Sequence, residues 1–183
     1  MAHRFPSAER DRLKDERRRV IQPAERIIDH MSPHFNEICM DLGSGTGYIA
    51  IPLSLRVSKV IALDAQRDML KTLLDDAGGK NNIETVVAEA SHIPLVDSSF
   101  DRIVLTNVLH EIDDIDYVVD DIRRILKPGG HVSLIDFPKR PTSMGPPVRE
   151  RLDIEEVITI FDKFHVVNRW EFTEYYQVEF KKS

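Results

Sequence analysis

Apolar residues along the chain follow two patterns, short near-continuous runs and longer stretches in which they recur every third or fourth position. The first reads as buried strand and the second as amphipathic helix. Strands are predicted over residues 37–42, 59–64, 83–88, 100–107 and 131–137. Between them, helical spacing joins Ile27, Ile28 and Met31, with Pro23 suited to a first turn and Pro33 ending the element. Tyr48, Ile49, Ile51, Leu53, Leu55 and Val57 form a second stretch, predicted helical and covered on several sides. Its Pro52 is awkward, since an interior proline costs about 3 kcal/mol unless it lies near the first turns. Met69, Leu70, Leu73, Leu74 and Ala77 precede the helix stop Gly78-Gly79. Ile115, Val118, Val119, Ile122, Ile125 and Leu126 give the cleanest amphipathic pattern, closed by Lys127-Pro128-Gly129-Gly130. After a proline-rich loop over 138–147, Asp153 and Glu156 form an N-terminal cap for a helix using Ile154, Val157, Ile158 and Phe161. Residues 166–172 and 175–180 alternate and read as an antiparallel hairpin. At the other end, residues 7–20 are charge-rich, with Leu13, Val20 and Ile21 as anchors, and predict a helix lying on the body.

Strands alternating with helices imply a parallel sheet with helices on both faces, because parallel strands need crossover connections. Five such strands plus the hairpin make a seven-stranded, mostly parallel α/β sheet with an antiparallel C-terminal edge. At 183 residues the chain suits a single domain, 1–183, able to bury roughly 70% of its unfolded surface. No apolar run reaches the ~20 residues of a membrane span, and Met1-Ala2-His3-Arg4-Phe5-Pro6 lacks the apolar region of a signal peptide, so the expected location is cytoplasmic. A lone Cys39 in a central strand is a buried apolar residue, leaving neither disulfide nor cysteine metal site; no metal is expected. The net charge of −6 is uneven: residues 1–22 hold seven Lys/Arg against four Asp/Glu and residues 138–151 four against one, so each is about +3 and the remainder about −12. That balance argues against a general nucleic-acid surface and leaves two basic segments, with solvated surface as their default explanation.

The turn Gly43-Ser44-Gly45-Thr46-Gly47 joins the first strand to the next helical stretch. Alternate glycines permit positive φ and let a nucleotide-like ligand lie on the backbone with no Cβ between, so bare amides would form the binding surface. A tight strand-to-helix connection is the plainer alternative. In such sheets ligands dock beyond the C-terminal strand ends. Asp64 ends the second strand, 21 residues after Gly43, where a carboxylate can accept from both hydroxyls of a ribose; a helix cap is the alternative. Glu89-Ala90 ends the third, within reach of an adenine edge or simply at the surface, and Asn107 ends the fourth beside His110 and Glu111.

With these residues in view, the chain resembles the class I S-adenosylmethionine-dependent methyltransferases from about residue 38 to 180. Their first motif, an acidic residue then G-x-G-x-G, reads here as Asp41-Leu42-Gly43-Ser44-Gly45-Thr46-Gly47, and differs from the G-x-G-x-x-G of dinucleotide enzymes. The resemblance implies a Rossmann-like fold and S-adenosylmethionine as cofactor, leaving S-adenosylhomocysteine. It places the methionine part against Asp41, Gly43, Ser44, Gly45, Thr46 and Gly47, the ribose at Asp64 and Ala65, the adenine at Glu89 and Ala90, and Asn107 nearby. Phe100-Asp101 and Leu126-Lys127-Pro128-Gly129-Gly130 match later motifs. Ile93-Pro94-Leu95 and Asp97-Ser98-Ser99-Phe100-Asp101 look most like the small-molecule branch that includes the quinone-biosynthesis (type 11) enzymes. Thr106-Asn107-Val108-Leu109-His110-Glu111 lacks the N/D-P-P-Y/F signature of amino methylation on nucleic acid, and arsenic methyltransferases need several cysteines.

The expected activity is therefore S-adenosylmethionine-dependent methyl transfer to a small molecule. A hydroxyl, thiol or carbon-acid acceptor needs a base, and His110 is the candidate catalytic residue, with packing or capping of the next helix as its alternative. By resemblance, the segment over 1–22 and the loop over 138–150, acting as a lid, cover the substrate. Arg17, Arg18, Arg19, Lys139, Arg140 and Arg149 would then rim the pocket and favour an anionic acceptor. Without an inserted cap domain the pocket is shallow or completed by a partner subunit, which leaves a homodimer open. Two other readings stay open: a non-catalytic S-adenosylmethionine-binding regulatory or assembly subunit, and an RNA or protein methyltransferase using the basic N-terminal helix.

Overall fold

The computed structural model describes residues 16–183. Its elements in chain order are α1 (Glu16–Ile21), α2 (Ala24–Met31), β1 (Ile38–Leu42), α3 (Ala50–Leu53), β2 (Lys59–Asp64), α4 (Arg67–Asp76), β3 (Ile83–Val87), β4 (Phe100–Thr106), α5 (Ile115–Ile125), β5 (Leu126–Asp136), α6 (Ile154–Ile160), β6 (His165–Glu171) and β7 (Tyr176–Lys181). They build a seven-stranded sheet in the order β3-β2-β1-β4-β5-β7-β6. β1 to β5 run parallel, while β7 lies antiparallel to both β5 and β6. The predicted helix over 7–20 is present from Glu16, its earlier part falling outside the described residues.

Period-two alternation splits the strands between two apolar layers. Met40, Leu42, Ile61, Leu63, Ile103, Leu105, Val132 and Leu134 pack with α5 and α6 on one face. Cys39, Val60, Ala62, Val104 and Ile135 pack with α2, α3 and α4 on the other. Parallel strands buried on both faces read as the near-continuous apolar runs of the sequence. At the N-terminal end of the sheet, the buried Arg102 guanidinium bridges Glu37 at 3.1 Å and Glu179 at 2.6 Å. No described helix is long and apolar enough to cross a membrane.

Two predicted elements differ. The helix expected through Val57 is a single α-turn, Ala50–Leu53: Pro52 has no N–H to donate, and beyond Ser54 the chain tightens into i→i−3 bonds from Leu55 and Arg56 to Pro52 and Leu53. Leu55 is consequently 65% exposed instead of covered. Leu126 does not close α5 but opens β5, pairing with Phe100 before the register jumps to Arg102 and His131. The Lys-Pro-Gly-Gly run is thus an irregularity within the paired strand, where proline and glycine are tolerated. The cap at α6 forms as expected, a capping box between Asp153 and Glu156.

Candidate functional site

The strand order reverses between β1 and β4, and a cavity of about 880 Å³ opens at the C-terminal ends of the strands there. Asp41, Gly43, Ser44, Gly45, Thr46, Asp64, Ala65, Glu89, Ala90, Asn107 and His110 all line it. Gly47, alone among the residues expected at the cofactor, does not. A Cβ on Gly47 would stand 2.7 Å from Leu73 Cγ, so this glycine seats the turn against α4. Gly43 is required for a different reason: it has φ +74°, and a Cβ there would strike the Val108 side chain.

Four of the five amides of the turn are not bare. Those of Gly43 and Ser44 donate to Leu63 O at 2.8 and 3.0 Å, that of Gly47 to Ser44 O at 2.9 Å, and that of Gly45 to Asp64 Oδ2 at 2.8 Å. Leaving the β1 ladder, the chain turns its donors onto the end of β2. Asp64 also accepts from Gln66 N at 2.8 Å through Oδ1, bracing the turn into α4.

Polar side chains carry the binding capacity instead. Among the described residues, Asp41 Oδ2, Ser44 Oγ, Thr106 Oγ1 and Arg18 Nε are buried atoms without a hydrogen-bond partner, and all four residues line this cavity. Burial pushes the Asp41 carboxyl up to about 7, opposed by a hydrogen bond from the Ala50 amide and by the Arg18 charge, and reinforced by Asp64. Burial likewise lowers Arg18 to about 10 against the pull of Tyr48 and Asp41. An acidic oxygen, two hydroxyls and a guanidinium N–H suit a ligand carrying both an ammonium and a carboxylate, which is the amino-acid end of S-adenosylmethionine.

The N-terminal segment is laced over the glycine turn. Arg18 lies 4.0 Å from the centroid of the Tyr48 ring, and Tyr48 OH donates to Gln22 O at 2.8 Å. Gln22 and Asn107 exchange two amide hydrogen bonds of 3.0 and 2.8 Å. Asn107 sits at φ +59°, with its amide donating to Ile135 O. Ser143 to Pro147 also line the cavity. Their loop is stapled by Arg151, which donates to the carbonyls of Pro138, Arg140, Met144 and Pro146 and to Thr142 Oγ1.

The structure also joins two strand ends. His110, in a 3-10 turn after β4, directs Nδ1 at Asp136 on the end of β5, 2.8 Å from Oδ1 and 3.0 Å from Oδ2. Sequence reasoning missed Asp136, although it ends a strand as Asp64 does; it missed Thr106 and Gln22 as well. Of the six expected rim cations, Arg17, Arg18 and Arg149 line the cavity. Lys139 instead pairs with Glu156 at 2.7 Å, Arg140 donates to Phe172 O, and Arg19 does not reach the cavity.

Comparison with known proteins agrees with this layout. Residues 40–134 match the type 11 family described as "Methyltransferase domain". A demethylmenaquinone methyltransferase of Thermobifida fusca (strain YX) is 29% identical over 119 residues, 64% of this chain and 50% of that protein. The ubiquinone/menaquinone biosynthesis C-methyltransferase UbiE of Shewanella sp. (strain W3-18-1) is 35% identical over 106 residues, 55% of this chain and 42% of that one. The chain thus spans about half the length of the curated relatives it matches. A SAM dependent methyltransferase from Aquifex aeolicus shares the fold with a TM-score of 0.92 at 24% identity, over 98% of this chain and 100% of that one.

Proposed function

The chain belongs to the type 11 methyltransferase domain family, with the class I fold, and from that premise we propose that it binds S-adenosylmethionine in the 880 Å³ cavity and transfers its methyl group to a neutral small molecule. The observation that carries this reading is the set of four orphaned buried atoms on residues that line this cavity. Asp41 would hold the ammonium and Arg18 the carboxylate, with Ser44 and Thr106 supplying hydroxyls. Gly45 and Thr46 would border the ligand, Gly43 gives way to the Val108 side chain, Gly47 supports the turn from behind, and Asp64 with Ala65 would face the ribose. Glu89 and Ala90, just past the end of β3, flank the adenine, while Asn107 ties the cofactor wall to Gln22. The sulfonium, when bound, supplies an electrophilic methyl group. What remains for the chain is to align an acceptor and exclude water, an effect worth roughly 7–11 kcal/mol in favourable cases.

The acceptor would enter beneath the loop over 138–150, among His110, Phe137, Met144 and Pro146. We read it as neutral because Arg149 is paired with Glu150 at 3.3 Å, while Asp113, Asp114 and Glu111 face the same cavity. Demethylmenaquinone, after which the Thermobifida fusca relative is named, is the first acceptor to try. Calorimetry with S-adenosylmethionine and S-adenosylhomocysteine on wild type and Asp64→Ala tests the cofactor site. Micromolar binding that the substitution abolishes is expected; no binding to wild type refutes the reading.

A further inference from the structure

The proposed reaction leaves open what kind of acceptor the cavity activates, and two adjacent strand ends bear on this. β4 and β5 are paired up to Thr106 and Ile135, so the residues that follow, His110 and Asp136, are carried to the same spot. Asp136 is 1% exposed, and its Oδ1 also accepts from the Phe137 amide at 2.8 Å. A carboxylate only accepts, so the His110 nitrogen between its two oxygens carries a proton. The neutral ring then has its lone pair on Nε2, which has no hydrogen-bond partner among the described residues. The His110 side chain is 6% exposed and contributes to the cavity wall. A histidine serving only as packing has no need of a buried carboxylate aimed at one ring nitrogen.

We propose that Asp136 is a positioning residue that fixes His110 with Nε2 presented to the cavity as a base, and that the acceptor is accordingly protic: a hydroxyl, a thiol or an acidic carbon. The inference rests on the methyl-transfer reading. In the step, the acceptor's electron pair forms the bond to the methyl carbon as the carbon–sulfur bond breaks, its pair remaining on sulfur. The acceptor's proton passes to Nε2, and Asp136 balances the imidazolium until solvent takes the proton. Three charged groups face the ring: Asp136 from β5, Glu111 from its own turn, and Arg151 from the segment before α6. Burial lowers the imidazole, but the charge and hydrogen bond of Asp136, helped by Glu111, outweigh burial and Arg151, and His110 titrates above its ordinary range. The base form is therefore gained as pH rises through that raised value, and the rate climbs with it.

Removing the Asp136 charge reverses the balance, so the two effects of Asp136→Asn have opposite signs on a pH profile. The inflection moves to lower pH while the plateau falls by roughly tenfold or more, because the tautomer is no longer held. Loss of packing alone would lower stability without moving the inflection. The experiment is histidine side-chain ¹⁵N–¹H NMR across pH on wild type, Asp136→Asn and His110→Gln, with and without S-adenosylhomocysteine. It is paired with transfer of labelled methyl from S-adenosylmethionine to phenol, benzyl mercaptan and acetylacetone, which keep their protons at neutral pH, as protic probes and pyridine as an aprotic one. His110→Gln assigns the signal. The expected result is an Nδ1–H tautomer with a midpoint above ~6.5, shifted downward in Asp136→Asn, and label on protic probes that falls roughly a hundredfold in His110→Gln with S-adenosylhomocysteine affinity kept. An Nε2–H tautomer, an unmoved midpoint, or pyridine methylation that His110→Gln leaves intact would overturn the proposal. Absence of S-adenosylhomocysteine binding would sink the cofactor reading instead, since the tautomer is also read in the unliganded protein.

Discussion

Asp41→Asn should make the unliganded protein more stable and the cofactor site worse. Asp41 is 2% exposed, and burial raises its carboxyl from 3.8 to about 7. A raised carboxyl contributes stability that is fully present below the unfolded value and is lost as pH rises through the folded one. Over about three pH units the loss amounts to about 4 kcal/mol. Asparagine keeps the shape and the acceptor for the Ala50 amide but never ionises, so the variant escapes most of that loss. At pH 8 its Tm should rise by roughly 10 °C, and at pH 5 by less than half as much, since most of the wild-type loss accrues above that pH. Thermal unfolding at the two pH values measures both. Removing the charge that faces the ammonium should weaken S-adenosylmethionine by roughly 10- to 100-fold, equivalent to one charge-assisted hydrogen bond. In wild type, cofactor binding at pH 7 should release about half a proton, read from calorimetry in buffers of different ionisation enthalpy. A variant that melts below wild type at pH 8, or gains equally at pH 5 and pH 8, would refute the reasoning.

Arg102→Met should destabilise the fold by about 3 kcal/mol or more, because Glu37 and Glu179 keep their charges and lose the guanidinium between them. An unchanged midpoint in thermal unfolding would count against this. Arg151→Leu removes the five hydrogen bonds that staple the roof loop. Amide exchange over 138–147 should accelerate at least tenfold, by roughly 1.4 kcal/mol of local stability, and unchanged protection there would show that the loop holds itself.

Much of this protein is legible from side-chain period alone. Lys59–Asp64 and the hairpin strands fall where alternation and apolar runs put them, and the α6 cap is visible as Asp153 and Glu156 three residues apart. These features depend on contacts within a few residues or on which face is buried, information that the order of residues carries directly. Pro52 was legible as a problem, though the extent of the α3 helix was not, because the chain beyond it answers to the packing of Leu53 and Val57 rather than to local propensity.

The cofactor wall was likewise readable, since strand ends in a parallel sheet converge wherever they occur in the chain, and Asp41, Gly43, Asp64, Glu89 and Asn107 each lie within two residues of a strand end. Which side chains face each other was not. His110 and Asp136 are 26 residues apart, and Gln22 and Asn107 are 85 apart; nothing in either spacing marks a partner. Gly47 shows the same limit from the other side, a motif glycine whose neighbour is a leucine on α4 and not the cavity. The sequence determined the strands, their burial and the end of the sheet where a ligand docks, because periodicity and crossover geometry are local or topological. Only the tertiary structure decided which polar atoms remain unpaired and which histidine nitrogen is held, because hydrogen-bond pairing is settled by distances that chain separation does not encode.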